Sequence, residues 1–213
     1  MHVKSVAVLD YGSGNVHSVV KALTHAGAEV SLTADADEIR RADGLVVPGV
    51  GAFGAVMTKL RENRGDQLIR DRLAQGAPVL GICVGLQILF ENSSESASVT
   101  SGMGLLRGKV SRLTAQHLPH MGWNTVDVAH GSKLFAGIED ERFYFVHSYA
   151  VASERHSGDT SGCDSTVLAT HAQHESARFI AAIEAGPLCA TQFHPEKSGS
   201  AGLALLHNWI RGL

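Results

Sequence analysis

The sequence predicts an α/β fold: a single domain, residues 1–213, around a central mixed, mostly parallel sheet flanked by helices, with added antiparallel strands. Three observations carry this. Short apolar, β-rich runs alternate with helix-period segments up to about residue 92, as in βαβ units. Later strands follow one another closely with few helices between them, as antiparallel strands do. The 213 residues, 44% apolar and 18% charged, suffice for a folded core and exclude disorder.

Val3–Leu9 is short and apolar, the pattern of a strand buried on both faces. The turn Asp10-Tyr11-Gly12-Ser13-Gly14-Asn15 follows. Val16, Val19, Val20 and Leu23 recur at helical spacing, with Gly27 as the stop. Ala28–Leu32 is the second strand and Gly44–Val47 the third, cut by Pro48-Gly49. Phe53–Leu60 and Asp66–Leu73 read as helices, Pro78–Ile82 as the fourth strand, and Leu86–Glu91 as the opening of a helix. Asn92–Gly104 is polar and reads as a loop. Strands are then expected over Lys109–Leu113, Asn124–Val128, Arg142–Val151, Val167–Thr170, Phe179–Ala185 and Leu188–Phe193. Ala152–Asp164 reads as an exposed hairpin tip, and Ala201–Arg211 as the closing helix.

A net charge of −3 argues against a nucleic-acid or polybasic membrane partner. The twelve histidines add positive charge only at mildly acidic pH. No apolar stretch approaches the roughly 20 residues of a membrane helix, and no signal peptide is expected. Cys83, Cys163 and Cys189 are too few and too irregular for a disulfide framework, so a reducing, cytoplasmic setting is expected. No metal is expected, because His117 with His120 and His171 with His174 lack completing ligands. No cofactor is expected either. Gly12-Ser13-Gly14 opens like a dinucleotide fingerprint, but His17 stands at the third glycine position.

Gly81-Ile82-Cys83-Val84-Gly85 joins a buried strand to a helix. It has the form of a nucleophile elbow with cysteine in place of serine. Flanking glycines prevent collision on the sharp turn, and a helix N-terminus favours thiolate there. The Val84 N–H can supply half of an oxyanion hole. A small buried cysteine beside turn glycines is the inert alternative. Cys163, in a polar loop, and Cys189, in an apolar strand, have no such setting.

A cysteine acting on an amide needs a base and a group to orient it. Gln192-Phe193-His194-Pro195-Glu196 supplies both late in the chain. Proline biases His194 to an extended conformation, in which residues two apart share a side. Glu196 can then hold one ring nitrogen while the other faces Cys83. A surface turn after a strand is the bland alternative. Pro48-Gly49-Val50-Gly51-Ala52-Phe53-Gly54 follows the third strand and offers unobstructed backbone N–H groups, with Val50 or Gly51 as the second oxyanion donor. No Gly-Lys-Ser/Thr follows, which excludes a Walker loop.

Gly81-Ile82-Cys83-Val84-Gly85-Leu86-Gln87 together with His194-Pro195-Glu196 resembles the class I, triad-type glutamine amidotransferases. Further blocks narrow the resemblance: Asp10–Asn15, Pro48–Phe53, Pro119-His120-Met121-Gly122-Trp123-Asn124, Tyr144–Tyr149 and Gln192–Ser198. In that order they resemble the glutaminase subunits of imidazole glycerol phosphate synthases. The resemblance implies the class I glutamine amidotransferase (flavodoxin-like) fold. It implies hydrolysis of glutamine to glutamate and ammonia, with ammonia passed to a cyclase subunit in a heterodimer. That partner would make imidazole glycerol phosphate and aminoimidazole carboxamide ribotide in histidine biosynthesis. By this resemblance Cys83 is the nucleophile, His194 the acid–base and Glu196 its orienter. Val50 matches the oxyanion-strand residue, beside the donors Val84 and Gly51 read from the elbow and the glycine-rich loop. Gly49, Gln87, Glu95, His147, Ser148 and Tyr149 match positions around glutamine. Asn15, Trp123, Tyr144 and Lys197 match positions near the partner and the ammonia exit, although Trp123 and Tyr144 also suit core aromatics. Ser153–Ser165 is longer and more polar than the pattern and reads as a peripheral hairpin. Other readings are a triad amidotransferase serving another synthase, a free-standing γ-glutamyl hydrolase, and a non-catalytic subunit. The intact Cys83, His194 and Glu196 argue against the last.

Overall fold

Continuous apolar runs make strands that bury both faces, and such strands fill the middle of the largest sheet. The computed structural model describes residues 3–12, 16–153 and 167–213. Its first half runs β1 (Ser5–Leu9), α1 (Val16–His25), β2 (Glu29–Thr33), α2 (Ala36–Arg41), β3 (Gly44–Gly49), α3 (Phe53–Glu62), α4 (Gly65–Ala74), β4 (Val79–Cys83) and α5 (Val84–Gln87). The second half runs β5 (Phe90–Ser93), β6 (Thr100–Ser101), β7 (Leu106–Arg112), β8 (His120–Thr125), β9 (Arg142–His147), β10 (Tyr149–Val151), β11 (Val167–His174), β12 (Ala177–Ala185), β13 (Leu188–Thr191) and α6 (Gly199–Arg211).

The main sheet has the order β11-β12-β13-β4-β3-β1-β2. β13, β4, β3, β1 and β2 are parallel, and β11 and β12 add antiparallel to β13. Every residue of β3 and β4 is buried, as the apolar runs require. A second sheet, β10-β7-β5-β6, and the antiparallel pair β8-β9 complete the strands among the described residues. The mixed, mostly parallel sheet is thus as expected. Its helices pack by apolar faces: Val19 and Leu23 of α1, Val56, Met57 and Leu60 of α3, and Leu205, Leu206 and Trp209 of α6 are buried.

Four local readings need correction. The run from Leu86 does not continue as a helix to Glu91. α5 is a single turn, and the carbonyls of Ile88, Leu89 and Phe90 accept from Met103, Leu105 and Gly104 instead of closing helical turns. Asn92–Gly104 is not all loop, because β5 ends and β6 lies within it. Arg142–Val151 is not one strand. It leaves β8 and joins β7 on the far side of Ser148. The strand expected at Asn124–Val128 sits earlier, as β8. α2 was missed, although Asp35 caps it by accepting from the Glu38 N–H at 2.8 Å. Most of the expected hairpin tip, residues 154–164, lies outside the described residues, as does Asn15.

Candidate active site

Three adjacent strands end at one edge of the sheet, and each carries part of the site. β4 ends in Cys83, β3 runs on to Val50 and Gly51, and β13 leads to His194 and Glu196. Ligands of open α/β sheets bind at this carboxyl edge.

Cys83 has φ 57° and ψ −109°, a conformation that strains a residue with a side chain by about 1–3 kcal/mol. Its surroundings enforce that turn. A Cβ on Gly85 would lie 2.1 Å from the Val47 carbonyl oxygen, and one on Gly81 would lie 2.5 Å from the Gly85 carbonyl oxygen. Only glycine lets the elbow press against β3 so closely. The helix that leaves the elbow is shorter than expected. With four residues, α5 aligns few peptide dipoles behind Cys83.

A cavity of about 300 Å³ opens over Cys83. It is lined by Val50, Gly51, Val84, Gln87, Glu95, His147, Ser148, Tyr149, His194 and Lys197, with Val146. The residues predicted for the oxyanion and for glutamine therefore meet here, with one exception. Gly49 pairs with Cys83 in register, and a Cβ on it would meet the Gly85 nitrogen at 2.5 Å. It is a packing position and does not line the cavity. Ser148 and Tyr149 reach the cavity because the chain changes sheets between β9 and β10.

The His194 Nδ1 lies 2.7 Å from the Glu196 Oε1, with both side chains buried. The route to this contact differs from the extended alternation expected. His194 is extended, but Pro195–Lys197 is a 3-10 turn that folds Glu196 back beneath the ring. The Ser198 hydroxyl secures the turn, donating to the His194 carbonyl at 2.7 Å and accepting from the Tyr144 N–H at 2.9 Å. Burial pulls the His194 imidazolium down. Hydrogen bonds and charge from Cys83 and Glu196 outweigh it and hold the group up at about 9. The balance favours the protonated form of His194.

The loop expected to supply an oxyanion donor, Pro48–Gly54, is pinned at both ends. The Tyr11 hydroxyl donates to the Pro48 carbonyl, and the Phe53 N–H donates to Glu95 Oε2 at 2.6 Å. Between them Gly51 has φ +97° with open space around it.

A polar network that the motifs did not reveal runs behind the cavity. The Gln87 Nε2 donates to the Tyr149 carbonyl at 2.9 Å and to the Gln192 Oε1 at 3.1 Å. The Gln192 Nε2 faces the Cys83 sulfur at 3.7 Å. From the other side, the His147 Nδ1 donates to the Tyr149 carbonyl at 3.0 Å. His120 Nδ1 meets His147 Nε2 at 3.1 Å, and Asn124 Nδ2 meets His120 Nε2 at 3.3 Å. Burial lowers His147 to about 3 and His120 to about 4, with neighbouring imidazoles adding to the effect, so both rings stay neutral. The signal in sequence was a polar glutamine at the end of an apolar strand.

Trp123 is 48% exposed and stands edge-on to Tyr144 with centroids 6.1 Å apart, so it is not a core aromatic. Tyr144 is half-buried, and Lys197 is exposed at the cavity rim. Cys189 is half-buried, and burial with Glu184 pushes its thiol up to about 12. It is no nucleophile at neutral pH. Cys163 lies outside the described residues. Among the described residues, a larger cavity of about 570 Å³, bordered by Arg112, Gln173 and Arg178, is lined by no thiol, imidazole or carboxylate. Among the described residues no group of three or more His, Cys, Asp or Glu is arranged to hold a metal, and no helix is long and apolar enough to cross a membrane.

Comparison with known proteins agrees with this geometry. The family model "Glutamine amidotransferase class-I" matches residues 7–212. The imidazole glycerol phosphate synthase subunit HisH of Corynebacterium diphtheriae is 56% identical over 209 residues, covering 98% of this chain and 99% of its own. The HisH subunit of Leifsonia xyli is 55% identical, covering 99% of both chains. That of Mycobacterium tuberculosis is also 55% identical, covering 100% of both. Among solved structures, a glutamine amidotransferase superposes with TM-score 0.72 at 20% identity, covering 98% of this chain and 99% of that one. PurLQS from Thermotoga maritima gives TM-score 0.72 at 19% identity, covering 99% of each. The fold matches through the structures and the sequence matches through nearly full-length relatives, so this chain belongs to the class-I glutamine amidotransferases, in the group of imidazole glycerol phosphate synthase HisH subunits.

Proposed function

We propose that this chain hydrolyses glutamine to glutamate and ammonia with Cys83, His194 and Glu196. It then hands the ammonia to a cyclase subunit that completes imidazole glycerol phosphate. The observation that carries the reading is the strained Cys83 in one cavity with His194, which Glu196 holds at 2.7 Å. One domain, residues 1–213, acts in the cytoplasm as half of a heterodimer.

The Cys83 thiolate attacks the side-chain carbonyl of glutamine, and the oxygen takes the negative charge. Backbone N–H groups of Val84 and of Val50 or Gly51 stabilise it. His194 gives its proton to the departing nitrogen as the C–N bond breaks, leaving a γ-glutamyl thioester. Neutral His194 then takes a proton from water, which attacks the thioester and expels the thiolate. Gln87, Glu95, His147, Ser148 and Tyr149 hold the glutamine, and Glu196 keeps the imidazole oriented.

Trp123, with Tyr144 and Lys197, marks the face where a partner covers the ammonia exit. The exposed Met121 lies on the same strand. The pinned loop, with open space beside Gly51 at φ +97°, supports regulation by a peptide flip, in which the cyclase and its nucleotide ligand turn an N–H into the oxyanion site. Glutamine turnover should therefore be low for the isolated chain and rise at least tenfold with the cyclase subunit and its nucleotide ligand. Full turnover by the chain alone would instead favour a free-standing hydrolase.

The raised His194 gives a second test. The proton needed by the leaving group is present below about pH 9 and lost above it. Turnover should fall as pH rises through that value. Glu196→Gln removes the carboxylate that favours the imidazolium, so the alkaline limb should move to lower pH. A pH–rate profile in the assembled complex reads both, and an unmoved limb would exclude Glu196 as the orienter.

A further inference from the structure

The short α5 leaves a question of charge at the nucleophile. A one-turn helix contributes little to stabilising a thiolate. The other groups that bear on Cys83 are His194 backed by Glu196 and, around the cavity, Glu95, His147 and Lys197. Gln192 also reaches the sulfur. It is 0% exposed, and a wholly buried amide is kept only where its polar atoms are used.

The orientation of that amide follows from the network around it. The Tyr149 carbonyl can only accept, so the end of the Gln87 amide that meets it at 2.9 Å is the NH₂ group. That same nitrogen meets Gln192 at 3.1 Å, so the Gln192 atom there is the oxygen. The remaining end of Gln192, 3.7 Å from the Cys83 sulfur, is therefore its NH₂ group. A backbone carbonyl on β10 thus decides, through two side chains, that the sulfur sees a donor. His147 strengthens the decision by donating to the same carbonyl at 3.0 Å, which holds Tyr149 in place.

We propose that Gln192 is a further catalytic residue, whose side-chain N–H donates to the Cys83 sulfur, favours the thiolate and restores it when the thioester breaks. The proposal rests on Cys83 being the nucleophile. A donor helps the charged sulfur more than the neutral one, because charge-assisted hydrogen bonds are the stronger kind. Gln87 has two connected duties: it takes part in the glutamine cavity and fixes which end of Gln192 faces the sulfur.

The test is the rate at which iodoacetamide alkylates Cys83, followed by peptide mapping so that Cys163 and Cys189 are counted apart. Alkylation needs no glutamine, so it isolates the sulfur from substrate binding. Gln192→Met removes the donor and should slow Cys83 alkylation at neutral pH about tenfold, with the pH midpoint of the reaction moving up by about one unit. Gln192→Glu keeps the shape and the acceptor for Gln87 but sets a carboxylate against the sulfur. It should slow alkylation further. A purely structural role predicts the opposite order, because Glu preserves more of the packing than Met. Thermal unfolding establishes that each variant is folded. Gln87→Met leaves Gln192 in place but frees its amide to turn, and should slow alkylation about threefold. It supplies the reading if the Gln192 variants do not fold. Rates equal to the parent's, or Glu faster than Met, would overturn the proposal. Cys83→Ala, assayed for glutamine turnover, tests the nucleophile separately. If it stays active the catalytic reading fails, whatever the alkylation rates show.

Discussion

Cys83→Ala should reduce glutamine-dependent synthesis by the assembled complex by about 10⁴-fold or more, while synthesis from added ammonium salts stays near the parent rate. The reasoning is chemical. Among the described residues no other thiol lines the cavity, and burial raises the thiol of Cys189 to about 12. Ammonia needs no nucleophile to be released, so it bypasses the lost step. The variant should also fold, because alanine fills the elbow as cysteine does and carries the same strain at φ 57°. Cys83→Gly relieves that strain and should be more stable than Cys83→Ala by about 1 kcal/mol in denaturant titration. Surviving glutamine-dependent synthesis in Cys83→Ala would remove Cys83 from the mechanism.

The second large effect is expected at Gly85, which carries no reactive group. Gly85→Ala places a methyl 2.1 Å from the Val47 carbonyl oxygen. Neither partner is a flexible side chain, so β3 and the elbow must separate. The expected loss is about 2–4 kcal/mol of stability, and on the order of 10 °C in Tm. Activity should fall with it, since separating these strands moves Val50 and Gly51, the proposed oxyanion donors, away from Cys83. Gly54→Ala is the control. A Cβ there meets only Ser96 and Thr100 side chains at 3.7 Å, and Gly54 lies within α3, where alanine is the better helix former. It should leave Tm unchanged or slightly raised. Equal effects at both positions would show that the elbow does not depend on close backbone contact.

Much of this was legible in sequence because the information was local. β1, β3 and β4 were visible as unbroken apolar runs, since strands buried on both faces have no polar side to interrupt them. The elbow glycines, His194 and Glu196 each lie in a motif of a few residues. Features decided by distant partners were not legible. The break at Ser148 depends on which strands pair on either side, and both halves, Phe143–Val146 and Tyr149–Val151, are continuous apolar runs. The run from Leu86 has helical composition, but its carbonyls are claimed by Met103, Gly104 and Leu105. The role proposed for Gln192 depends on Gln87, 105 residues away in the chain. α2 is different: Asp35 and Glu38 did announce a cap, but six residues gave too little periodicity to read.

The place of β13 has a consequence for how the protein is made. β13 is the last strand synthesised, yet it lies in the interior of the sheet, between β12 and β4. A ribosome that has finished β4 has produced a thiol at an unfinished edge, with no imidazole beside it. Only when Leu188–Thr191 slides in next to Val79–Ile82 does the chain beyond it bring His194 to the sulfur. By the proposed mechanism, a nascent or truncated chain that lacks β13 holds Cys83 without its acid–base partner, so turnover waits on closure of the sheet.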